Sequence, residues 1–121
     1  MLLVDFLQAL LRKGSTYIAI TDGVDGSFFA SPQGIHYCPS LRCKVSGTAG
    51  AGDAFASTLT CFIAIDETIE KAMQAASINA ASVVGYIDTQ TGLLEFSVLE
   101  AQLNAYANEL AVLFWSWDEI T

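Results

Sequence analysis

Basic residues are scarce in this chain: five Lys and Arg stand against thirteen Asp and Glu in 121 residues, a formal net charge of −8. A surface of that sign repels phosphate backbones and anionic headgroups, which excludes nucleic acid and the membrane surface as expected partners. Charge of either sign is sparse at 15%, whereas 53% of residues are hydrophobic, so an intrinsically disordered chain is excluded too. No apolar run is long enough to span a bilayer, which takes about 20 residues. The longest uncharged stretch, residues 72–87, is broken by Gln74, Ser77, Asn79, Ser82 and Gly85. Asp5 interrupts the apolar N-terminal stretch, and Arg12 and Lys13 follow it, the reverse of a secretion signal. Cys38, Cys43 and Cys61 are odd in number and fit no metal-ligand spacing, so free thiols in a reducing cytoplasm are expected. Repeats and low-complexity linkers are missing, so residues 1–121 read as one domain.

What is present alternates between two periods. Leu2, Leu3, Phe6, Leu10 and Leu11 recur at helical spacing ahead of Gly14. Residues 17–21 predict a buried strand, residues 22–26 a glycine turn, and residues 27–38 a hairpin around Ser31-Pro32-Gln33-Gly34. The lone His36 in that hairpin reads as a surface residue. A further strand is expected over about Arg42 to Ser46, then a buried helix over Ala54–Ile65. A second helix starts at Asp66-Glu67-Thr68 and can end at Gly85. A third opens on the capping-box pattern Ser97-x-x-Glu100 and carries Leu99, Leu103, Tyr106 and Leu110. The aromatic group 113–117 then reads either as packing of that last helix on the core or as an interface with another chain. Helix, three or four strands and three helices make an α/β layered fold.

The chemistry concentrates in Gly47 to Phe55, a glycine-rich loop between a strand and a helix. Gly50, Ala51 and Gly52 leave backbone amides bare at a helix N-terminus, a place where anions bind without basic side chains. Asp53 sits in the same turn. A Walker loop fails, because Asp53 and Ala54 stand where Lys and Ser or Thr are needed. A dinucleotide fingerprint fails, because Phe55 fills its third glycine position. Two readings stay open: Asp53 as a helix cap, or Asp53 as a general base beside a transferring phosphoryl group.

Ala49-Gly50-Ala51-Gly52-Asp53-Ala54-Phe55 resembles the signature of the ribokinase-like (pfkB) carbohydrate kinases, D-T-T-G-A-G-D-x-F. Ile20-Thr21-Asp22-Gly23-Val24-Asp25-Gly26 is similar to the family's V-T-x-G-x-x-G strand and turn, and residues 75–85 to its Ala-rich helix. The resemblance covers about residues 14 to 100 and implies the C-terminal part of a ribokinase-like fold, a partial central sheet flanked by helices. It implies ATP with Mg²⁺ and a small sugar-like or nucleoside substrate. Asp53 would be the base, and Gly50, Ala51 and Gly52 the anion hole. Thr21, Gly23, Gly26 and Asn79 would line the nucleotide pocket, although Thr21 and Asn79 read equally well as ordinary buried hydrogen-bonding groups.

The chain also departs from the family. Gly47 replaces an Asp near a monovalent-cation site, which argues against K⁺ activation. Neither a Gly-Gly pair nor the N-x-x-E motif connected with Mg²⁺ occurs. The sugar pocket belongs to an N-terminal half that is missing here, so self-association or a missing half is expected. The alternative to a kinase is a catalytically incomplete remnant that binds nucleotide or serves as an oligomerisation module.

Overall fold

The computed structural model describes residues 2–42, 50–85 and 92–120. Helix α1 (Leu3–Arg12) leads into strand β1 (Ile18–Thr21), a short 3₁₀ turn (Gly23–Asp25) and the hairpin β2 (Ser27–Ser31) and β3 (Gly34–Cys38). Helices α2 (Ala51–Ala64), α3 (Ile69–Val84) and α4 (Phe96–Tyr106) follow, then β4 (Leu113–Ser116) and the one-turn α5 (Trp117–Ile120). The four strands lie in the order β1-β2-β3-β4, with every neighbour antiparallel.

Period-two alternation sends successive residues to opposite faces, and here both faces are covered. Phe29 and Cys38 point to α2, α3 and α4, joining Phe55, Phe62, Met73 and Ile78 in the larger cluster. Ala30 and Ile35 point the other way, onto Leu7 of α1 and, from α5, Trp117 and Ile120. The α2–α3 pair packs most extensively, with Phe55, Leu59 and Phe62 of α2 in one cluster with the small Ala72, Ala75 and Ala76 of α3. Burial raises the Cys38 thiol above its usual range, and neither Cys38 nor Cys61 is in a disulfide. Cys43 lies outside the described residues.

Several expectations change. β1 is not buried: among the described residues it pairs on one side only, and Ala19 and Thr21 are exposed. Most of the strand expected over Arg42–Ser46 falls outside the described residues. Thr68 caps α3, its hydroxyl accepting from the Lys71 amide at 3.2 Å. The Ser97–Glu100 capping box does not form; the N-cap is Glu95, two residues earlier, and Glu100 instead meets Lys71 of α3 at 3.4 Å. Leu110 is buried beyond the end of α4.

The largest difference lies in residues 113–116, which form a fourth strand and do not extend a helix. Cross-strand pairing decides this, since β3 offers an edge that aromatic side chains fit well. Phe114 pairs with His36 and Trp115 with Ile35. The indole of Trp117 then donates to the Ser31 carbonyl at 2.8 Å, fastening the segment to the hairpin. His36 is accordingly not a surface residue: only 8% is exposed, because β4 and α3 cover it.

Candidate functional site

Where β1 ends, the chain reverses through a tightly held loop. The Asp22 amide donates to the Gly26 carbonyl at 2.8 Å, the Tyr37 hydroxyl to the Asp25 carbonyl at 2.7 Å, and the Ser40 hydroxyl to the Val24 carbonyl at 2.8 Å. Gly26 takes φ +97°, and a Cβ there would lie 2.5 Å from the Cys38 carbonyl oxygen. Only glycine meets both conditions.

Across from this loop, α2 begins. Gly50 is its N-cap in the left-handed conformation (φ 85°), with no side chain to occupy the first-turn amides. The first intrahelical bond runs from the Ala54 amide to the Gly50 carbonyl, leaving the amides of Ala51, Gly52 and Asp53 ahead of it without helical acceptors. Phe55 is buried and anchors the turn in the core, while Gly52 and Asp53 stay exposed. Gly50, not Asp53, is the N-cap, and the Asp53 carboxylate on the first turn makes no cap hydrogen bond among the described residues.

Between loop and helix lies a cavity of about 340 Å³. Thr21, Gly23, Val24, Gly26 and Ser27 form one wall, Ala51, Gly52 and Phe55 the floor, and Ser77, Ala80, Ala81 and Val84 of α3 the far side. No charged side chain is among the described lining residues, so among them an anion would be met by amides and the positive end of α2. Ser27 is among the lining residues, is 2% exposed, and its buried hydroxyl has no hydrogen-bond partner among the described residues. A buried orphan hydroxyl is costly unless something completes it. The motifs passed over Ser27; its signal is a small polar residue directly after the turn glycine, on the strand face beneath the helices.

Of the residues singled out in the sequence, Thr21, Gly23, Gly26, Ala51 and Gly52 meet around this one cavity. Gly50 and Asp53 lie on the same helical turn without lining it. Asn79 lies elsewhere. It is 6% exposed, donates to the Thr58 hydroxyl at 2.9 Å and accepts from the Leu94 amide at 3.0 Å. Its amide is consumed in holding α2, α3 and the entry to α4 together. Asn79→Ala is expected to cost about 1–3 kcal/mol, read as a lower urea midpoint, because Leu94 loses its partner in a part-buried position. Gly47, Ala49, Tyr86 and Asp88 lie outside the described residues.

Helices over both faces of a sheet, with a glycine-led helix N-terminus near the end of β1, define an α/β layered protein. The family model for the pfkB family carbohydrate kinases matches residues 2–95, and the chain belongs to that family. It is 30% identical over 101 residues to a ribokinase of Lactococcus lactis, covering 80% of this chain and 32% of that protein. It is 34% identical over 117 residues to a bifunctional ribokinase/ribose-5-phosphate isomerase A of Fructilactobacillus sanfranciscensis, covering 82% and 22%. A crystal structure from E. coli, described as a ribokinase II in complex with ATP and Mg²⁺, superposes with a TM-score of 0.81 at 17% identity. That match covers 87% of this chain and 34% of the other, and at that identity it is a likeness of fold. The chain thus spans a third or less of the length of the curated relatives it matches.

Proposed function

We propose that this chain is the nucleotide-binding portion of an ATP-dependent carbohydrate kinase, transferring the γ-phosphoryl group to a sugar or nucleoside hydroxyl. One observation carries the reading: a helix N-terminus without a side-chain cap, bearing the Asp53 carboxylate, borders a cavity whose described lining is uncharged and includes Ser27 with its orphan hydroxyl. The apolar lining suits a nucleobase. The amides of Ala51, Gly52 and Asp53 suit phosphate oxygens, which need no lysine where a helix dipole supplies the positive potential. Asp53 would take the proton of the acceptor hydroxyl as it attacks, the role such a transfer asks of a base.

Among the described residues no three His, Cys, Asp or Glu side chains converge. Mg²⁺ would arrive on the nucleotide's phosphate oxygens, where it would neutralise charge developing during transfer. Titration calorimetry with a non-hydrolysable ATP analogue tests the reading, alongside the melting temperature, which a ligand of the folded state must raise. Saturable binding and a rising melting temperature support it; neither occurring overturns it.

Ser27 gives a finer test. Ser27→Ala is expected to weaken the analogue about 5- to 20-fold, because it removes a hydroxyl with no other partner, while stability stays level or rises slightly. Unchanged affinity would detach Ser27 from the ligand.

The covered length favours a second reading, in which the chain binds nucleotide but completes no sugar site. A sugar and nucleoside panel separates the two: ATP consumption dependent on one acceptor supports the kinase, and nucleotide binding with no acceptor response supports the remnant.

A further inference from the structure

At the end of the strands opposite the nucleotide cavity, the α3-facing side of the sheet carries a row of rings. Tyr17, just before β1, lies 5.3 Å from Phe29 of β2; Phe29 lies 6.2 Å from His36 of β3; His36 lies 4.6 Å from Phe114 of β4. The pairing register produces this row, placing Phe29 opposite His36 and His36 opposite Phe114. Its middle is buried and its ends are open, with Tyr17 52% and Phe114 44% exposed.

Above the row stands Glu70, in the first turn of α3, with His36 Nε2 donating to its Oε1 at 3.0 Å. The carboxylate can only accept, so this bond holds the hydrogen on Nε2 and fixes the Glu70 side chain. A cavity of about 420 Å³ is lined by Tyr17, His36 and Phe114 of this row and by Glu70. Its described lining residues include no Lys or Arg, and the neighbouring Lys71 is engaged by Glu67 and Glu100.

We propose that this cavity binds a guanidinium group. Open ring faces attract cations, most of all flat and weakly hydrated ones, and a guanidinium stacks where an ammonium cannot. Glu70 offers its outer oxygen to the N–H donors while His36 keeps the inner one. Because that bond already holds the carboxylate, little side-chain entropy remains to be lost on binding. The net charge of −8 draws cations toward the surface from a distance. The group could belong to a free arginine-like compound or to an arginine on another protein; the recognition chemistry is the same.

The test is an NMR titration of the unsubstituted chain with Nα-acetyl-arginine amide, following the ring signals of Tyr17 and Phe114. Saturable shifts at both rings are expected, with the lysine counterpart binding about five-fold more weakly or worse. Glu70→Gln keeps an acceptor for His36 and is expected to weaken the arginine compound about five-fold or more, leaving ATP-analogue binding unchanged. Absence of saturable shifts, equal binding of arginine and lysine compounds, or an indifferent Glu70→Gln overturns the proposal. A capped peptide with a central arginine separates the sources: tighter binding than the single amino acid points to a protein partner, equal binding to a small guanidinium compound. These outcomes are independent of the nucleotide site.

Discussion

Replacing Asp53 by Asn is expected to lower phosphoryl transfer by about 10²- to 10⁴-fold while the affinity for an ATP analogue changes little. The substitution is nearly isosteric and falls on an exposed side chain of the first turn of α2, so neither the packing of Phe55 nor the amides ahead of Ala54 are disturbed. Removing a negative charge from the positive end of the helix costs about 0.3–1 kcal/mol of stability and slightly favours an incoming phosphate. Binding and turnover therefore move apart, a separation that a merely structural carboxylate would not produce. The measurement pairs calorimetry with a coupled assay on the best acceptor of the panel. Near-full activity in the variant would remove Asp53 from the reaction.

The second large effect is expected from Gly26→Ala, which should abolish ATP-analogue binding and lower the melting temperature. Two costs combine. A Cβ at φ +97° is strained by about 1–3 kcal/mol. That Cβ would also lie 2.5 Å from the Cys38 carbonyl oxygen and 2.8 Å from the Tyr37 hydroxyl. Backbone cannot yield as a flexible side chain does, so the loop must move, giving up the Tyr37 bond to Asp25 and the cavity wall it holds. The control is Gly52→Ala, where a Cβ would meet nothing within 4 Å. It should fold normally and weaken only the ligand. Similar binding losses without any stability difference between the two would refute this account of Gly26.

Much of the site was legible beforehand because its parts are local. An anion-binding helix start needs only consecutive small residues, so Gly50 to Asp53 could be read from their order alone. The turn 22–26 was readable for the same reason, since positive φ leaves glycine as its mark. Asn79 could not be placed that way. An amide in a helix reads alike whether it faces a ligand or brackets two helices, and only its partners Thr58 and Leu94 separate the cases. Ser27 was invisible for the converse reason: its significance is a missing partner.

Composition, period and the order of turns determined the α/β class and the approximate positions of α1 to α4, all properties of residues a few positions apart. Tertiary structure alone decided that residues 113–116 would become a strand, that His36 would be buried beneath Phe114 and beside Glu70, and that Thr21 would stand at an exposed edge. Each depends on contacts between segments dozens of residues apart. Whether a short apolar stretch extends a helix or joins a sheet depends on which edge is within reach once the rest has folded.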